Sequence, residues 1–120
     1  MATRFVFTPG SAEFPSSNYP ALTLVNRRFA LAFDATTNET AQWTAVAPQG
    51  LTGALTAIVT YIMASATSGD VDVDVSIEAV SDGDATDLDA GDSFDTVNST
   101  DNTTVPATAG YIDQISVTLT

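Results

Sequence analysis

The chain has 120 residues, with three Arg, no Lys, fifteen Asp and Glu, no His and no Cys, for a net charge of −12. That length suits one domain. The missing residue types exclude a disulfide scaffold, a thiolate zinc site, a cysteine nucleophile, a lysine Schiff base and the usual imidazole general base, while the charge opposes nucleic acid and anionic membranes.

From the N-terminus, Met1–Gly10 is too weakly apolar for a signal peptide. Arg4–Thr8 is predicted as a short strand with Phe5 and Phe7 on one face. Residues 9–20 are a loop broken by Pro9, Gly10, Pro15 and Pro20, with Phe14 and Tyr19 tucked beneath it. Arg28–Phe33 alternates, Phe29, Leu31 and Phe33 against Arg28, Ala30 and Ala32. Asp34–Asn38 is a turn, and Thr40–Val46 a strand that turns Trp43 inward. Leu51–Ala66 is the longest apolar stretch and too short to span a bilayer. Its β-branched residues favour a strand over Ala54–Ala64 rather than a helix. Both faces of that strand are apolar, so Ile58 and Ile62 need cover from a loop of the same chain or from a neighbouring subunit.

Asp70–Val80 has the clearest strand pattern, with Val71, Val73, Val75 and Ile77 inward and Asp70, Asp72 and Asp74 outward. Residues 81–93 form an acidic loop, Phe94–Val97 a short element, and Ser99–Gly110 a polar connection. Tyr111–Thr120 returns to alternation through Ile115, Val117 and Leu119. It is expected to pair inside the fold or be covered by another chain, unless a segment beyond Thr120 is missing. These runs give an all-β chain with about seven antiparallel strands, a sandwich or barrel. Residues 1–20 are read as an N-terminal strand and extended arm, and residues 21–120 as a β-sandwich, a single domain together. The expected core comprises Phe29, Leu31, Phe33, Trp43, Val59, Tyr61, Val71, Val73, Val75, Ile77, Ile115 and Val117.

Few residue groups suggest chemistry. Asp70, Asp72 and Asp74 begin like a calcium loop, but Val75 stands where Gly is needed and Ser81 where Glu is needed. Asp82, Asp84, Asp87, Asp89 and Asp92 lie close together on a Gly-containing loop; they make either a solvated acidic loop or a weak calcium site of an adhesion domain. The serines have no partner base among side chains lacking His and Lys. No catalytic residue, cofactor or dedicated metal site is therefore expected. Trp43 is a core residue or a sugar-stacking platform. Arg27 and Arg28 either start a strand or form an ion pair with an acidic neighbour, another copy of the chain included.

Three stretches, Phe33–Trp43, Met63–Val75 and Asp101–Pro106, resemble small virion structural proteins of tailed bacteriophages. Such proteins join a strand ending in Phe-Asp to a turn and an aromatic-bearing strand, and lead through Ser-Gly-Asp into an alternating Val strand. The likeness spans roughly residues 29 to 119. It implies a jelly-roll-like sandwich without enzymatic activity, carried in many copies on the particle as a capsid decoration, head-fibre or tail-associated protein. Family members continue into one more strand bearing a basic residue, so the resemblance also implies completion by a partner. The expected function is a capsid decoration protein located on the virion. Its partners are itself, as a trimer, and the major capsid protein. The alternative is a tail- or fibre-associated module that binds glycans. Phe5, Phe7, Phe14, Tyr19, Ile58 and Ile62 are the expected interface residues.

Overall fold

A computed structural model describes residues 3–120. The chain is nearly all-β and divides into two compact units, one ending at Leu51 and the other running from Thr52 to Thr120. The division falls after the Pro48–Gly50 turn. Six strands form three antiparallel two-stranded sheets. No helix among the described residues is long and apolar enough to cross a membrane.

In the N-terminal unit, β1 (Ala21–Val25) and β2 (Arg28–Ala32) form a hairpin in the register Leu22 to Leu31 and Leu24 to Phe29. Asn26 and Arg27 both take positive φ, 47° and 70°, as a two-residue turn that matches strand twist requires. Asn tolerates that conformation; Arg does so at a cost of about 1 kcal/mol. Arg27→Gly is accordingly expected to raise the stability of this unit by up to about 1 kcal/mol. Urea unfolding followed by Trp43, the single tryptophan, would show it as an upward shift in midpoint.

The strand expected at Arg4–Thr8 does not form; that segment belongs to no sheet, and a short 3-10 turn (Pro9–Ser11) follows it. The strand expected at Thr40–Val46 reduces to one bridge, in which Glu13 and Gln42 exchange backbone bonds of 2.7 and 3.0 Å. The proline-rich segment between them supplies no second run of strand residues to extend a ladder. The turn after β2 does form. Asp34 accepts the Thr36 N–H and hydroxyl (2.6 and 2.8 Å) and the Thr37 N–H (3.2 Å). Those bonds, the Thr36 backbone bond foremost, hold its carboxyl below the usual range.

The C-terminal unit holds the buried core. Strand β3 (Leu55–Tyr61) pairs with β6 (Asp113–Leu119), and β4 (Asp70–Val75) pairs with β5 (Asn98–Thr104). β5 lies beside β6, where Asn98 Oδ1 accepts the Thr120 N–H and hydroxyl at 3.2 and 2.8 Å. β5 corrects the expected polar connection at Ser99–Gly110. Its sequence NSTDNTT contains no apolar side chain, so it pairs through its backbone. The ladder shifts register between Val71 and Val73, opposite Asn102, which sits at φ 58° and donates its N–H to Asp72 Oδ1 at 2.6 Å.

Ile115 and Val117 are buried as expected, and Val105 and Pro20 are buried without having been expected. Phe29 and Phe33 are corrections, being 61% and 57% exposed. The two-stranded hairpin leaves Phe29 without cover on that face. Leu31, Trp43, Val59, Tyr61, Val71, Val73, Val75 and Ile77 are half-buried.

Tyr61 closes the β3–β6 ladder by donating its hydroxyl to Asp113 Oδ2 at 2.7 Å. Partial burial, with the Asp113 bond and charge behind it, pushes the phenol from 10.0 up to about 12. The unfolded chain therefore loses this proton first. The stabilisation is complete below pH 10 and disappears as pH rises to about 12. Tyr61→Phe is expected to flatten that alkaline fall in melting temperature, measured by circular dichroism; an unchanged slope would contradict the assignment.

Candidate assembly surface

β1 and β2 place Leu22, Leu24, Phe29 and Leu31 on one face of the hairpin. The first three are exposed and Leu31 is half-buried. Arg27 and Arg28 stand at its tip, the Arg28 guanidinium bonding the Asn26 carbonyl O at 3.3 Å. This face was not among the expected interface residues. Its only sequence signal is the matched alternation either side of Asn26-Arg27, which lacks the Gly that usually announces a hairpin.

The same unit gathers the expected aromatic residues into two groups. Phe5 stacks on Phe7 with centroids 5.8 Å apart, and Phe7 meets Trp43 at 6.2 Å. Trp43 is pinned by its indole N–H, which donates to the Thr8 carbonyl at 2.9 Å. Phe14 and Tyr19 form the second pair at 5.6 Å. The Phe5, Phe7, Phe14 and Tyr19 rings are all exposed, so Phe14 and Tyr19 are not tucked beneath the loop as expected. In the C-terminal unit, Ile58 is exposed on β3 and Ile62 is half-buried just beyond it.

So much exposed surface is unusual for a chain of this mass. The chain exposes 9304 Å². Two compact bodies sharing its 12.4 kDa equally would together expose only about 7,400 Å². The excess, roughly 1,900 Å², is of the size one partner buries in an obligate protein interface. Each sheet also has only two strands, and a two-stranded ribbon is marginal alone in water.

Charge divides as sharply as the fold does. The N-terminal unit holds all three Arg and just three of the fifteen acids (Glu13, Asp34 and Glu39), so it is neutral. The C-terminal unit holds the other twelve acids and no cation, and thus the whole −12.

The acidic loop makes local contacts. Asp84 accepts the Ser81 N–H at 2.7 Å and Asp87 the Asp89 N–H at 3.0 Å. Asp82, Asp84, Asp87, Asp89 and Asp92 are exposed. Among the described residues, no three acidic side chains come together in a group that could hold a metal ion. An open depression of about 350 Å³ lies between Ala85 and Ser93. A second, of about 510 Å³, is lined by Leu55, Ile77, Phe94 and Leu119 among others.

No family model, curated protein or solved structure matches the chain.

Proposed function

We propose that the chain is a non-enzymatic structural protein of a tailed-phage virion, most specifically a capsid decoration protein bound in many copies to the outer surface of the head. The observation that carries this reading is the partition between a neutral, aromatic-bearing N-terminal unit and a C-terminal unit holding the whole −12. An apolar neutral module is suited to seating on a protein lattice, and an acidic module to facing solvent and keeping a crowded particle soluble. The three stretches that resemble small virion proteins supply the particle context.

In this reading the Phe5, Phe7, Phe14 and Tyr19 rings meet the major capsid protein. Copies of the chain cover one another's remaining apolar surface as a trimer. The small sheets complete a jelly-roll-like sandwich only in that assembly. A glycan-binding tail or fibre module is the second reading, and the exposed Tyr19 beside Phe14 is what favours it.

Quantitative mass spectrometry of purified particles, counting this chain per major capsid protein, tests the proposal. Hundreds of copies per particle are expected. A few dozen would move the chain to the tail or a vertex. Absence from particles would overturn the virion reading, and a tyrosine fluorescence shift on adding glycans would then support the second.

A further inference from the structure

We propose that copies of this chain join head to tail by strand addition: the free edge of β2 in one copy pairs with the free edge of β4 in a second. This rests on the self-association in the functional reading and is independent of attachment to a particle. Among the described residues neither outer edge is hydrogen-bonded to another strand: β2, against which the Pro9–Ser11 turn also lies, bonds only β1, and β4 bonds only β5. The strands are of similar length, five and six residues. Unpaired edges of this kind are templates for another strand.

Side-chain parity selects this pair. In β2, Phe29 and Leu31 share one face, and Arg28, Ala30 and Ala32 the other. In β4, Val71, Val73 and Val75 share the half-buried face, and Asp70, Asp72 and Asp74 the exposed one. Joined in phase, Phe29 and Leu31 continue the valine layer, with Leu22 and Leu24 behind them, while Arg28 enters the row of carboxylates. A slip of one residue would set Arg28 among valines and Phe29 among aspartates, so the register is specified. The two sheets become one of four strands, past the three-strand threshold for independent stability.

Charge makes the contact heterologous. A β4–β4 pair would oppose two rows of aspartate. An antiparallel β2–β2 pair would set Arg28 opposite Ala32 and leave both cations without a counter-charge. β2 on β4 instead brings the cations of the neutral unit to the unit that has none. Each copy then offers one edge of each kind, which makes the contact heterologous.

Sedimentation velocity of the full chain tests this with two charge-reversed variants, R27D/R28D and D70R/D74R. Asp72 is left in place because it holds the Asn102 N–H. Wild type is expected to assemble, and to do so less well at high salt. Each variant alone should associate about tenfold more weakly or worse. An equimolar mixture should recover assembly, because each variant keeps one intact edge and the two reversed edges complement each other. Circular dichroism shows whether each variant is folded. Folded variants that assemble alone like wild type, or a mixture of folded variants that stays monomeric, would overturn the proposed pairing and leave self-association standing. A wild-type chain that stays monomeric at every concentration would overturn both.

Discussion

Ile115→Ala is expected to remove about 2–5 kcal/mol from the C-terminal unit. Ile115 is 4% exposed and sits opposite Val59 in the β3–β6 ladder, two residues from Val117, which is 1% exposed. These two and Val105 are the buried hydrophobic residues of the C-terminal unit. Domains typically have only about 5–15 kcal/mol to lose, and small ones lie at the lower end. The cavity left by Ile115 has no large neighbouring core to relax into it. Urea unfolding followed by far-ultraviolet circular dichroism should show the unit largely unfolded or with a much lower midpoint. Ile112→Ala, at a position 72% exposed, should leave that midpoint nearly unchanged. Equal effects of the two substitutions would mean that the β3–β6 interior does not hold this unit together.

The second large effect falls on assembly rather than on folding. Leu24→Ser combined with Phe29→Ser should cost the isolated chain no more than about 1 kcal/mol, the worth of one cross-strand apolar pair. Both side chains are already about 60% exposed, and they face each other across the hairpin. In the assembled sheet the same pair would continue the Val71–Val75 layer, so the double substitution should abolish self-association. Light scattering of the eluting protein reads the assembly, and Trp43-monitored unfolding reads the hairpin unit. Assembly that survives with full strength would show that this apolar face is not buried between copies.

Several elements were legible in the sequence for a plain physical reason. β4 and β6 alternate apolar and polar residues over most of their length, β2 alternates the large Phe29 and Leu31 with Arg28 and two alanines, and β3 is rich in β-branched residues. β5 was not legible because Asn, Ser, Thr and Asp supply no apolar periodicity, and its partner is chosen by backbone bonds and by the bulge at Asn102. β1 was missed because its turn uses Asn26 and Arg27 in place of Gly. Arg4–Thr8 and Thr40–Val46 erred in the other direction. Their alternation is real, but it serves the Phe5–Phe7–Trp43 cluster rather than a ladder.

The exposed apolar surface of the N-terminal unit was legible in part. The aromatic residues of the N-terminal segment stood out as interface candidates, and four of them are exposed: Phe5, Phe7, Phe14 and Tyr19. The hairpin face did not stand out, because Phe29 and Leu31 have the pattern of buried core residues. Only a missing third strand distinguishes such a face from a core. The charge partition is written in the sequence, with every Arg before residue 29, yet it acquires meaning only once the chain is seen to divide after Leu51.

Amide hydrogen exchange across a dilution series tests most directly whether another copy completes these sheets. Protection at Phe29–Ala32 and Val71–Val75 should rise with protein concentration, while the amides of β3 and β6 that bond within the chain stay protected throughout. Protection of the β2 and β4 edges that is independent of concentration, or absent at every concentration, would contradict assembly by strand addition.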